Sequence, residues 1–80
     1  MARRTRVEPS PLAALTPREL DVLREMAQGK SNAGIAGSLY LSESAIEKHA
    51  RSIFDKLGLL AEPSLHRRVV AVVTFLRDTP

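Results

Sequence analysis

The stretch LSESAIEKHARSIFDKLGL, residues 41–59, has two faces of opposite character when it is drawn as a helix. The apolar face carries residues at spacings of three and four, namely Ile46, Ala50, Ile53 and Leu57. The polar face on the opposite side carries Ser44, Lys48, Arg51 and Asp55. The apolar face predicts packing on a core. The polar face is not simply basic, because acids and bases are equal in number across the stretch, so its role must be inferred from the residues around it.

A second, shorter helix is predicted directly before this one. It opens at Ser31 and runs to about Leu39, and Ser42 is a preferred N-cap for the longer helix, which Gly58 ends. Two helices joined by so few residues, the second longer and with a patterned outer face, indicate a helix-turn-helix unit. In such a unit the outer face of the second helix lies in the major groove of DNA.

An earlier helix is predicted to begin in LTPREL, residues 15–20. Thr16 is a preferred N-cap, Pro17 suits the first helical position and Glu19 completes a capping box; Gly29 ends the helix. Residues 1–14 contain prolines and arginines without apolar periodicity. We expect a flexible basic linker or chain end there, with the folded domain at residues 15–80.

A fourth helix is predicted within LHRRVVAVVTFL, residues 65–76. Its valines are β-branched and would also suit a strand, but its length and the three preceding helices favour a helix. The segment is apolar nearly all round, and Phe75 is left over after one core-facing stripe is assigned. This surplus predicts a second buried surface, and we expect Val69, Val73 and Leu76 to form the seam of a dimer.

Composition limits the class of protein further. Eighty residues with 4% aromatic side chains and no tryptophan favour one small domain of packed helices. The net charge is +3, and Arg3, Arg4, Arg6 and Glu8 supply two of these three charges, so basicity alone is a weak argument for nucleic acid. The chain has no cysteine, and His49 and His66 lack metal-ligand spacing. We expect an all-α fold of four helices with no metal and no cofactor.

Several short motifs of the chain are shared with a known family. LTPRE, A-x-G-x-S-N, LSES and K-H…I…KLG follow one another in order along the chain. From Leu15 to about Leu76 the chain resembles the DNA-binding domain of the LuxR family, as found at the C-terminus of NarL/FixJ-like response regulators. The resemblance implies a four-helix (tetrahelical) helix-turn-helix domain that binds pseudo-palindromic promoter DNA through its third helix and forms a homodimer through its fourth.

The resemblance also implies a biological setting. The chain would regulate transcription as the output domain of a two-component response regulator in the bacterial cytoplasm, associated with the nucleoid, and RNA polymerase would be a further partner. No apolar run approaches the ~20 residues that span a bilayer, so no membrane partner is expected. The N-terminus lacks the apolar region of a signal peptide.

The family's base-contacting positions fall on Glu47, Lys48 and Arg51 in this sequence. Two departures stand beside them: Ala45 replaces the usual threonine, and Glu47 stands where lysine is frequent. The first departure predicts the loss of one phosphate contact. In helix two, NAGIA replaces the family's NKEIA, which removes another basic side chain.

The sequence leaves two alternative roles open for several of these side chains. Arg51 has the bidentate fork that recognises guanine, while Glu47 is suited either to accept from cytosine N4 or to form an ion pair with Arg51. Ser44 and Ser52 are either phosphate donors or surface hydroxyls, and His49 is either a phosphate contact or a hydrogen-bonded packing residue. A further pair, Arg67 and Arg68, would either pair with Glu62 or contact flanking phosphates.

Two other classes of protein compete with DNA binding. An enzyme is disfavoured, because the sequence has neither a G-x-S-x-G elbow nor a glycine-rich phosphate loop. A pure protein-interaction module, docking through the apolar surface of helix four, remains the alternative. It differs from a DNA-binding domain by dimerising tightly without retaining DNA at low salt.

Overall fold

The computed structural model describes residues 10–79, which form four α-helices and one short 3-10 helix. The 3-10 helix is Pro11–Ala14, and the α-helices are α1 (Pro17–Ala27), α2 (Asn32–Leu39), α3 (Glu43–Lys56) and α4 (Arg67–Asp78). No strand occurs in this part of the chain. The predicted all-α, four-helix class is therefore confirmed.

Helix α1 begins with the capping box that the sequence predicts. The hydroxyl of Thr16 accepts from the backbone N–H of Glu19 at 3.1 Å, and the N–H of Thr16 donates to Glu19 Oε1 at 2.9 Å. This reciprocal pair satisfies two of the backbone donors that a helix start leaves free. Gly29, with φ +86°, ends the helix in a conformation that favours glycine.

Helices α2 and α3 form a helix-turn-helix unit. Ser31 caps α2 by accepting from the N–H of Gly34 at 3.1 Å, and Ser42 caps α3 by accepting from the N–H of Ala45 at 3.0 Å. Between them Tyr40 adopts a left-handed conformation with φ 58°, and this allows Leu41 N–H to bond the carbonyl of Ala36 at 3.0 Å. The turn is therefore closed by backbone hydrogen bonding and fixes where α3 begins.

The core lies where all four helices meet. Its largest fully buried side chains come from the first three helices: Val22, Leu23, Ile35, Ile46 and Ile53. Helix α4 contributes only Ala71 and Phe75 to the buried set. Burial of branched aliphatic side chains of this size stabilises the fold by roughly 1.5–3 kcal/mol each.

Two expectations about the ends of the domain require correction. Residues 10–14 are not a linker, because the 3-10 helix places Leu12 in the core at 8% exposure and Ser10 Oγ donates to Asp78 Oδ2 at 2.9 Å. The remaining residues of the expected linker, 1–9, lie outside the described part of the chain. Phe75 is not left over: it is 8% exposed and packs in the core.

The expected seam of α4 is exposed to solvent. Val69, Val73 and Leu76 are 58%, 52% and 59% exposed. Val73 stands two residues from both Ala71 and Phe75, which is about 200° around a helix of 3.6 residues per turn. The three side chains therefore lie on the side of α4 that faces away from the core.

A membrane-spanning helix is not found within residues 10–79, since every helix there is too short or too polar to span a bilayer.

Candidate nucleic-acid interface

Helix α3 has the sidedness that its sequence predicts. Ile46, Ala50 and Ile53 are buried, whereas Ser44, Glu47, Lys48 and Arg51 are exposed. Fourteen residues make α3 about 21 Å long at 1.5 Å per residue, enough to enter the major groove. We call the exposed set Ser44, Glu47, Lys48 and Arg51 the reading face.

The charged groups of the reading face form no ion pair with any residue from 10 to 79. Glu47 and Arg51 stand at i and i+4, yet no ion pair joins them. The predicted alternative of an ion pair between Glu47 and Arg51 is therefore not found in the structure. A carboxylate acceptor and a guanidinium donor, held side by side on a rigid helix, can each hydrogen-bond a base edge.

His49 and Ser52 differ from the reading face because both are partly buried. The hydroxyl of Ser52 donates to Glu19 Oε2, so its hydrogen is used within the domain rather than offered to a phosphate. His49 makes no side-chain hydrogen bond with any residue from 10 to 79, so the hydrogen-bonded packing role is not found in the described residues.

Glu19 ties α3 to the start of α1. It is 5% exposed. Besides the hydrogen bond from Ser52, its carboxylate accepts hydrogen bonds from Lys56 Nζ at 2.8 Å and from the N–H of Thr16 at 2.9 Å. Burial by itself would raise the pKa of Glu19, but the hydrogen bonds from Lys56, Ser52 and Thr16 and the charge of Lys56 outweigh it and lower the pKa from 4.5 to about 2. The carboxylate therefore stays ionised and holds the C-terminal half of α3.

An open groove continues the reading face toward α4. Its volume is about 500 Å³, and it runs between α3, the first residue of α2 and the first turn of α4. Its polar lining consists of Asn32, Glu47, Arg51, His66, Arg67 and Arg68. Cationic side chains outnumber the single carboxylate along this lining, so the groove is predominantly basic.

Arg67 and Arg68 do not pair with Glu62, which instead accepts from Ser64 Oγ. The guanidinium of Arg67 lies 5.0 Å from the centroid of the Phe54 ring, within cation–π range. Arg68 donates to Asn32 Oδ1 at 2.7 Å and to the backbone carbonyl of Lys30 at 2.6 Å. Both arginines are thus engaged within the domain.

Sequence reasoning missed these long-range polar contacts. Glu19 meets Lys56 across 37 positions and Arg68 meets Lys30 across 38, and no local pattern signals a partner at such a separation. The hints that the sequence offers are an acidic capping residue and a cation in the first turn of a helix, where the dipole disfavours it. Within residues 10–79 no group of three or more His, Asp or Glu side chains could hold a metal ion.

The tight turn between α2 and α3, the caps that fix it and the outward polar face of α3 define a helix-turn-helix domain of the class that binds DNA. Residues 13–74 match the family described as bacterial regulatory proteins, luxR family, and the chain belongs to that family. Its members regulate transcription by binding DNA and are not enzymes, so the predicted resemblance, function class and lack of enzymatic activity are confirmed.

Individual relatives agree with this membership. The chain is 43% identical over 71 residues to the nitrate/nitrite response regulator NarP of Escherichia coli, covering 89% of this chain and 30% of that protein. It is equally identical to the nitrate/nitrite response regulator protein homolog of Haemophilus influenzae, with 31% of that protein covered. Identity to the oxygen regulatory protein NreC of Staphylococcus aureus is 40% over 55 residues, covering 69% of this chain and 25% of that protein.

The chain thus spans about a third of the length of these curated relatives. No solved structure matches it.

Proposed function

We propose that this chain binds pseudo-palindromic promoter DNA sequence-specifically as a homodimer, and that it is the output domain of a two-component response regulator. The observation that carries the proposal is the reading face: exposed, polar and mounted on a helix whose other side is buried in the core. The names of the relatives, two of them response regulators of nitrate and nitrite, support the regulatory setting. Such a regulator works in the bacterial cytoplasm on the nucleoid, with RNA polymerase as a further partner.

The reading face divides into two kinds of contact. Arg51 donates its bidentate fork to guanine, Glu47 accepts from cytosine N4, and Lys48 contacts a neighbouring base edge. Ser44 lies near the start of α3 and donates to a phosphate, which positions the helix without specifying sequence. His49, between the two sides of the helix, contributes a further phosphate contact.

Ser52 has a different part in the proposal. Because its hydroxyl already donates to Glu19, Ser52 acts through the orientation of α3 and not by touching DNA. The dimer seam consists of Val69, Val73 and Leu76, whose exposure leaves an apolar strip on α4 for the same strip of a second copy. The small area of one helix favours weak pairing, so the dimer forms on DNA when the protein is dilute.

Selection from a random pool of double-stranded DNA tests the proposal. We expect enrichment of an inverted repeat whose half-sites are centred about one turn, ~34 Å, apart. Absence of any enriched sequence would contradict specific binding.

A second candidate function is favoured by the exposed strip on α4 alone. If the domain dimerised tightly in sedimentation experiments yet was not retained by any DNA at low salt, it would be a protein-interaction module. The same two measurements therefore separate the two candidates.

A further inference from the structure

Arg68 occupies an unusual place for a cation. It stands in the first turn of α4, where the N-terminal end of the helix dipole disfavours positive charge, and α4 has no side-chain cap at His66. Its guanidinium turns to two oxygens outside α4, Asn32 Oδ1 at 2.7 Å and the carbonyl of Lys30 at 2.6 Å. Arg68 thus joins the start of α4 to the start of the helix-turn-helix unit.

The acceptor side of this joint is itself held in place. Lys30 lies in the connection between α1 and α2, and its ammonium donates to Glu25 Oε1 at 2.6 Å and to Ser38 Oγ at 3.0 Å. Asn32 is the first residue of α2. The two oxygens to which Arg68 donates therefore belong to a fixed part of the domain. A rigid guanidinium fork can donate to two such acceptors at once.

Few apolar side chains of α4 are fully buried, and all of them lie beyond its first turn. Ala71 and Phe75 are buried and Val72 packs partly exposed against the core, so the polar contact of Arg68 is what holds the N-terminal turn. The C-terminal end is held separately, since Ser10 Oγ donates to Asp78 at 2.9 Å and Arg24 lies 6.0 Å from the Phe75 ring centroid. At the N-terminal end the specific polar contact is that of Arg68, while Arg67 stacks on Phe54 of α3.

The joint links the two surfaces on which dimeric DNA binding depends. Val69, the residue after Arg68, begins the apolar strip on α4, while Asn32 belongs to the unit that carries α3. A tilt of α4 by ~10° acting over roughly 17 Å, half of the ~34 Å between half-sites, displaces a reading face by ~3 Å. This is nearly the ~3.4 Å rise of one base pair.

We infer that Arg68 is a positioning residue that sets the angle between the dimer strip of α4 and the reading face of α3, and thereby the spacing of half-sites that the dimer accepts. The inference rests on the proposed function and deepens it, because it assigns the spacing rule to a contact that does not touch DNA.

The test compares spacing preference with half-site affinity. The half-site selected by the wild-type chain is placed in duplexes carrying one copy, or two inverted copies whose separation varies in single base pairs. Arg68→Met removes the donors and keeps an unbranched stem; Arg68→Lys keeps the charge but not the fork. Arg18→Met is the matched control, because Arg18 is an exposed α1 cation whose ion pair within residues 10–79 is with Asp21.

We expect Arg68→Met and Arg68→Lys to bind the single half-site as the Arg18→Met control does. Their preference for the best spacing over one a base pair away should fall by about tenfold, a scale that loss of two charge-assisted hydrogen bonds can supply. Circular dichroism verifies helicity; if Arg68→Met is unfolded, Arg68→Lys decides.

Two results would overturn the inference. One is an unchanged spacing profile in a folded variant. The other is an equal loss of affinity on one and two half-sites with the profile retained, which would make Arg68 a phosphate contact. Failure of the proposed function is a separate result: the wild-type chain itself would not discriminate the selected half-site from a scrambled duplex.

Discussion

Arg51 is the side chain of the reading face with the greatest capacity to distinguish bases, because its fork matches the two acceptors of guanine in the major groove. It is exposed and forms no ion pair with Glu47 one turn earlier. We expect Arg51→Ala to cost ~1–3 kcal/mol on the best operator and to relax preference at one base position. Binding to a panel of single-base operator variants measures both effects.

The control for this substitution is Arg18→Ala, which removes the same charge from the exposed side of α1. It should weaken binding slightly and equally on all operators. If Arg51→Ala behaved in the same uniform manner, Arg51 would contact phosphate and the base-reading role would be wrong.

Glu19 gives the domain a stability that depends on pH. Its pKa is lowered from 4.5 to about 2 in the folded chain, so the folded state binds the proton less readily than the unfolded chain does. The resulting stabilisation is fully present above about pH 4.5 and is lost as pH falls toward 2. We expect Glu19→Gln to lower the free energy of unfolding by on the order of 2 kcal/mol near neutral pH and by progressively less as the solution is acidified.

Urea denaturation followed by circular dichroism at several pH values measures this difference. Asp55→Asn, which alters an exposed carboxylate without an ion pair to any residue from 10 to 79, is the control and should show little change. A difference between wild type and Glu19→Gln that stays constant from neutral pH to pH 2 would show that the ionised carboxylate is not what stabilises the domain.

For single residues, local sequence patterns predict only some of the hydrogen-bond partners. The capping box identifies Glu19 as a partner of Thr16, because both lie within one helical turn. It cannot disclose the bonds to Ser52 and Lys56, since those depend on how α3 crosses α1 in three dimensions. For the same reason Ser52 resembles a phosphate donor in the sequence, although its hydroxyl is directed to Glu19.

At the scale of elements, α4 presents two faces that are both apolar. Ala71 and Phe75 face the core, whereas Val69, Val73 and Leu76 face solvent, each about 100° or more around the helix from either buried residue. We expect Val73→Glu to retain the helical circular dichroism and to abolish cooperative binding to a two-half-site operator, because a carboxylate would be buried unpaired in the proposed dimer seam. Fluorescence anisotropy with one-half-site and two-half-site duplexes measures the cooperativity.

Leu60→Glu is the matched control. Leu60 is 73% exposed in the loop before α4, so the same apolar-to-charged change there should leave cooperativity intact. Cooperative binding that persists in folded Val73→Glu would place the dimer contact elsewhere on the domain.

The elements themselves were largely predictable, because caps and breakers stand where the helices begin and end. Thr16, Ser31 and Ser42 cap three of them as expected, and Gly29 and Gly58 adopt positive φ beyond α1 and α3. The face of α4 was not predictable in full. A helix that is apolar nearly all round has no polar side to orient it, and Ala71 is too small to signal its burial, so Phe75 could not be assigned to the core from sequence.

At the scale of the whole molecule, the salt dependence of binding follows from how few cations face the DNA. Lys48 and Arg51, the basic side chains of the reading face, are proposed to contact bases, and Arg67 and Arg68 are engaged with Phe54, Asn32 and Lys30, so only a handful of other cations should neutralise phosphates in each copy. We expect a plot of log K against log[salt] with a slope on the order of −3 to −5 for the dimer, at about −0.9 for each phosphate neutralised. A slope near −10 would require the arginines of residues 1–9 or of α4 to bind phosphate as well.

The position of α3 in the major groove is the central claim, and intermolecular NOEs between the labelled domain and the selected operator test it most directly. We predict NOEs from the side chains of Glu47, Lys48 and Arg51 to major-groove base protons, with α1 showing none. NOEs confined to sugar protons, or contacts to bases made by α4 in place of α3, would contradict it.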